Sequence, residues 1–307
     1  MKGTASGDRL AWILLVAALL ASGGYLAVES ARDAGWSDWS FGDAQTLLTC
    51  RFWGRDGFLR HRFLFIAHGY ARAVRFLDEP PLRHLAHGTD WAVSPLVGPR
   101  LYYTHYPSGY LVLPALLWKL GLATYPLLSK YALLLSLSSV ALFFFALRRL
   151  CGGTVALLAC LYYLTSRGFL RYALSLAQMP GDDLLRFAVM AATVWERERP
   201  SRRRALLTWL LLFAVAAHGF AAVLFSFFWI VGFDLIAGRR RWRRWALMAA
   251  APLLAYGLQF CQNAWYLGWA DAWLDVRETF LSRSQSGASR LRLVLSTLRF
   301  VFDEQAI

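Results

Sequence analysis

The chain has 307 residues, 58% of them hydrophobic, and a formal net charge of +14 carried almost wholly by arginine. Its apolar residues gather into runs of about 15 to 20, matched to bilayer thickness, whereas a soluble protein of this size spreads them at amphipathic spacing. The composition therefore excludes a soluble globular protein. The basic clusters are too short, and too closely fenced by apolar runs, to track a nucleic-acid backbone.

Residues 1–9 are polar, with Lys2 and Arg9, and the first apolar span runs Leu10–Val28. Its basic start and Ala21-Ser22-Gly23 resemble a signal peptide, but further spans follow, so an uncleaved anchor is expected. Residues 29–124 then form a long outer loop rich in Trp, His and Arg. Ala44–Trp53 and Phe63–Leu77 carry helical apolar spacing mixed with Arg, which predicts helices lying in the headgroup plane. Tyr110–Leu122 is apolar but short of a span, so a re-entrant or interfacial helix is expected there.

Beyond it the predicted spans are Tyr125–Leu147, Thr154–Ser166, Leu184–Trp195, Ala205–Ala217, Phe220–Ala237 and Ala246–Gln262. If 110–122 does not cross, the short inner segments hold 14 Lys and Arg against two, Arg167 and Arg171, in the short outer loops. The positive-inside rule then selects seven spans with the amino terminus cytoplasmic. Residues 1–262 form the membrane module and 263–307 an outer segment, within which Arg290–Phe302 is predicted to be another interfacial helix. The fold class is an all-α polytopic membrane protein.

Several ionisable residues fall on the outer side. Asp43 opens a helix-like stretch, where it is expected as an N-cap or as a general base at the membrane surface, its proton affinity raised among Trp36, Trp39 and Phe41. Asp38 is its rival. His105 lies in the turn Tyr103-Thr104-His105-Tyr106-Pro107-Ser108-Gly109, where Pro107 fixes the approach to the next helix and Gly109 permits close contact.

Asp182 and Asp183, beside Arg186, either cap a helix start or join Asp43 around a cavity, with a divalent cation as a further option. Lys130, Arg167 and Arg171 either snorkel to headgroups or hold a lipid phosphate. Gln262 and Asn263, with Gln259, end the last span facing a cavity or a neighbouring helix. The four cysteines, Cys50, Cys151, Cys160 and Cys261, show no CxxC spacing and so no cysteine metal cluster. No phosphate loop, dinucleotide fingerprint, zincin motif or nucleophile elbow is present.

The pattern resembles the GT-C superfamily of integral-membrane glycosyltransferases, especially protein O-mannosyltransferases and lipid A aminoarabinose transferases. The resemblance rests on Asp43 in the first outer loop, on the turn 103–109 in place of that family's His-Pro-Pro, on Lys130 opening the second span, and on Asp182 or Asp183 as a further outer acid. The chain departs from the family in having Ala44 where Asp-Glu is frequent and Ser108 where a second Pro stands.

The resemblance implies an inverting transfer of sugar from a polyprenyl-phosphate donor to a glycan, lipid or protein acceptor on the extracytoplasmic side, in a bacterial inner membrane. Asp43 is then the base, assisted by Asp182 and Asp183. Tyr103, His105, Lys130, Arg167, Arg171, Gln262 and Asn263 contact substrate. Part of the family uses a divalent metal ion and part does not, and the chain leaves this open. The alternative class is a non-catalytic scaffold, or a component of a lipid or polysaccharide transporter.

Overall fold

The computed structural model describes residues 5–32, 40–66, 102–104, 106–122 and 124–284. The chain is predominantly helical: α1 (Ala5–Arg32), α2 (Ser40–Asp56), β1 (Phe65–Ile66), β2 (Tyr102–Tyr103), a 3-10 turn (Gly109–Leu111), α3 (Val112–Lys119), α4 (Tyr125–Cys151), α5 (Gly153–Thr165), α6 (Arg167–Tyr172), α7 (Met179–Glu198), α8 (Arg202–His218), α9 (Ala221–Ile236), α10 (Trp242–Leu267) and α11 (Trp269–Ser284). Every predicted apolar span falls on a helix. Among the described residues two helices, Gly7–Ala31 and Tyr125–Cys151, are long and apolar enough to cross a membrane.

Local chemistry sets the boundaries. Pro126 sits in the first turn of α4, where its missing N–H costs nothing, and Gly152, at φ 86°, ends that helix and starts α5. Ser166 caps α6 by accepting from the Phe169 N–H at 3.2 Å, and Ser201 caps α8 from the Arg204 N–H at 3.3 Å. At a rise of about 1.5 Å per residue, the 8-residue α3 is only about 12 Å long, far short of a bilayer. That agrees with the expected non-crossing helix.

The packing divides into connected cores. Helices α1, α4 and α5 share one, built on Leu15, Val140, Phe144 and Cys160, with Trp12 edge-on to Phe144 at 4.7 Å. Helices α7 to α10 share another around Val189, Leu212, Ile230 and Met248. The segment between α1 and α4 adds a third, in which Trp53, Ile66, Leu111 and Ala115 join α2, β1 and α3.

Two expectations about elements change. Within the predicted helix Phe63–Leu77, the described part is instead strand β1, paired antiparallel with β2 through Phe65 opposite Tyr103 and Ile66 opposite Tyr102. Phe65 and Ile66 are both buried, and Arg62 and Phe63 hold left-handed φ values of 52° and 54° that a helix does not permit. Helix α10 continues past residue 262 to Leu267, and α11 packs back on it, so the outer segment begins as part of the bundle. The predicted helix Arg290–Phe302 lies outside the described residues.

Candidate functional site

Helix α2 starts at Ser40, so Asp43 lies inside its first turn instead of capping it. From there it reaches across to the segment before α7. Its Oδ1 accepts from the Ser175 hydroxyl at 2.8 Å and the Leu176 N–H at 2.7 Å, and its Oδ2 accepts from the Tyr125 hydroxyl at 2.7 Å. One helical turn on, the Thr46 hydroxyl donates to the Leu176 carbonyl at 3.2 Å. Asp43 and Thr46 thus close both backbone groups of Leu176. Asp43 is wholly buried within the protein.

A second acid stands close by. Asp182, in the first turn of α7, pairs with His218 at the end of α8, Oδ1 to Nδ1, at 2.9 Å. Three glycines make room for this pair. A Cβ on Gly181 would lie 2.1 Å from His218 Nε2, one on Gly219 would lie 2.8 Å from Asp182 Oδ1, and one on Gly109 would lie 2.3 Å from the Ala217 carbonyl oxygen. The close approach expected at Gly109 is therefore present: it seats the turn 106–109 directly on the end of α8.

Tyr110 lies between Thr46 of α2 and the second acid. Its phenol bonds to Thr46, lies within the field of Asp182, and is pushed up in pKa chiefly by burial. Its ring centroid is 5.8 Å from that of His218. Tyr110 thus connects Thr46 of α2 with the neighbourhood of the Asp182–His218 pair. Tyr106, Phe220 and Tyr256 extend it as an aromatic wall, with centroid spacings of 5.7 and 5.2 Å.

The remaining predicted residues divide. Asp183 turns away from Asp182, because successive helical residues project about 100° apart. It accepts from Tyr163 on α5 and from Arg186 on its own helix, so the two acids do not act as a paired carboxylate. Lys130 is exposed on α4, whose buried side carries Leu128, Ser129 and Ala132. Arg167 is exposed at the start of α6, and Arg171 lies over the Tyr172 ring at 5.4 Å.

Gln262 and Asn263 grip the outer loop's backbone. The Gln262 amide donates to the Arg62 carbonyl at 2.9 Å, and the Asn263 amide donates to the Thr104 carbonyl at 2.9 Å. These amide donors bond to the protein itself, while Asn263 Oδ1 is buried without a partner among the described residues. The Thr104 hydroxyl in turn donates to Asp275 of α11 at 2.6 Å. The Tyr103 side chain, and His105 altogether, lie outside the described residues.

No three His, Cys, Asp or Glu side chains converge among the described residues. Cys50 is buried, and burial pushes its thiol up to about 12, leaving it inert at neutral pH. His218 is the participant that sequence reasoning passed over. Its signal was an ionisable residue closing an apolar run, Val215-Ala216-Ala217, immediately before a glycine. No family model, curated protein or solved structure matches the chain.

Proposed function

We propose that the chain is a membrane-embedded glycosyltransferase of GT-C type, moving a sugar from a polyprenyl-phosphate donor to an acceptor on the extracytoplasmic side. The observation that supports this reading is the pairing of Asp182 on α7 with His218 on α8, with Asp43 of α2 bonded to Ser175 and Leu176 in the segment just before α7. In this reading α1, α4, α5, α7, α8, α9 and α10 are the seven spans. The shorter ones, such as the 13-residue α5, rely on tilt or local thinning of the bilayer.

The hydrogen bonding divides the acids by role. Both Asp43 oxygens already accept donors, so this carboxylate braces the loop before α7. Asp182 commits Oδ1 to His218, while its Oδ2 accepts no hydrogen bond from the described residues. Asp182 is therefore the better base. As an acceptor hydroxyl attacks the anomeric carbon and polyprenyl phosphate departs with the bonding electrons, Oδ2 takes the hydroxyl proton and His218 steadies the pair. Arg167 and Arg171, at the same end, supply cations for the departing phosphate.

Sugar transfer from a polyprenyl-phosphate donor, assayed in the purified full chain, tests the reading. Asp182→Asn is expected to lower kcat about 100-fold or more, the ordinary contribution of a positioned base. Asp43→Asn is expected to lose less than about tenfold while reducing the melting temperature. Loss at Asp43 alone, with unchanged melting, would return the base to position 43. A scaffold is the second reading, favoured by the closed hydrogen bonding of Asp43, and an intact protein without any transfer activity decides for it.

A further inference from the structure

At the other end of α7 lies a different constellation. Glu196 is 14 residues beyond Asp182, about 21 Å along the helix at about 1.5 Å per residue. Here Arg244 of α10 is held between two buried carboxylates: Nη2 donates to Glu196 at 2.9 Å and Nη1 donates to Asp234 at 2.5 Å. The Thr208 hydroxyl donates to Glu196 at 2.9 Å, and the Trp245 indole N–H donates to Asp234 at 3.0 Å. The acids are thus saturated from inside the bundle, and α7, α8, α9 and α10 are tied together at this end.

Beside that knot lies a shallow, solvent-open cleft whose lining includes Arg197, Arg239 and Arg241. None of these three pairs with an acid among the described residues. Arg197 instead spreads over the Phe233 ring at 4.6 Å, which leaves its guanidinium edge free to donate. With Arg244, four guanidinium groups face two carboxylates around one cleft, an excess of two positive charges. An excess of that size, presented by planar donors, suits a phosphate ester.

The surroundings indicate how the phosphate is carried. Leu235, Ile236 and Trp242, adjoining the cleft in sequence, are 49%, 88% and 70% exposed. Bare apolar side chains next to unpaired arginines suit a headgroup with its acyl chains beside it. We propose that this cleft binds the phosphate of an anionic phospholipid, independently of any sugar transfer at the opposite end. A bound headgroup would join α7 to the α9–α10 connection and hold the bundle's closed arrangement.

The test is native mass spectrometry of the full chain in neutral detergent, titrated with phosphatidylglycerol and, separately, with phosphatidylcholine. Phosphatidylglycerol is expected to bind preferentially, and R197Q/R239Q/R241Q is expected to weaken it on the order of 100-fold. The control R202Q/R203Q removes two exposed arginines that do not line the cleft and is expected to change binding less than about twofold. Arg244 is left in place so that the buried knot survives, and R241Q alone, expected to lose about fivefold, serves if the triple variant does not fold. Equal binding by the cleft variants and the intact chain, or equal loss in the control, would overturn the site. Thermal protection by inorganic phosphate with none from phosphatidylglycerol would overturn the lipid as its source.

Discussion

Asp43 sits inside a shell of donors that ties α2 to α4 and to the segment before α7. Asp43→Ala leaves the Leu176 N–H and the Ser175 and Tyr125 hydroxyls without their acceptor in a buried place, at a cost of about 3–5 kcal/mol. A second residue-scale consequence concerns His61. It is buried, with Nδ1 2.9 Å from the Tyr102 hydroxyl and Nε2 3.2 Å from Asp56. Burial holds its pKa below the ordinary 6.5, although Asp56 pulls the other way. Hydrogen bonding from Arg55, foremost, holds Asp56 down at about 2.

Both shifts carry the same sign. The unfolded chain takes up a proton at His61 before the folded one does, so stability is complete above about pH 6.5 and falls as pH drops toward the lowered folded value. Asp56 adds a further loss between about pH 4 and 2, muted by its nearness to solvent. Melting temperature against pH is expected to decline below 6.5, and His61→Gln is expected to flatten the first part of that decline. An unchanged profile in the variant would assign the decline to other groups.

At the scale of elements, glycines decide how closely the helices approach. Gly109 meets backbone, the Ala217 carbonyl, which cannot swing aside, whereas Gly181 meets the ring of His218, which can rotate away. Gly109→Ala is therefore expected to destabilise by about 1–3 kcal/mol, read as lowered melting temperature and weakened contact between the turn and α8. Gly181→Ala is expected to displace His218 from Asp182 at smaller cost in stability, so that activity falls while melting changes little. The reverse ranking would show that the α7–α8 contact, not the turn, limits the fold. The strand pair is likewise an element-scale result: Phe65 and Ile66 find partners only because residues 102–103 return alongside them.

For the whole molecule, charge asymmetry and buried polar knots describe two unlike ends. One end gathers Asp43, Tyr110, Asp182 and His218, and the other gathers Glu196, Asp234, Arg244 and the free arginines. If the bundle spans a membrane in the expected sense, single cysteines at positions 167 and 203, in a chain stripped of its own Cys151 and Cys261, are reached by an impermeant thiol reagent from opposite sides. Position 167 reacts from outside in intact cells and position 203 only after permeabilisation. Labelling of both from one side would remove the seven-span topology.

The helices and their order were legible because apolar runs, basic clusters and the punctuating Gly152, Pro126 and Ser201 are local signals. Asp43 and Asp182 also stood out, being acids beside apolar segments. Their roles did not: whether a carboxylate is closed or open depends on Ser175, Tyr125 and His218, residues far away in the chain. Lys130 and Asp183 show the same limit, since a sequence position fixes which residues share a helix face but not which neighbour that face meets. Composition and periodicity by themselves determined a basic, helical chain made for an apolar surrounding, because both act over a few residues. Only the tertiary arrangement decided that Asp182 pairs with His218, that Asp43 is spent on backbone, and that three arginines face a cleft, because hydrogen bonds and desolvation are set by what packs across the bundle.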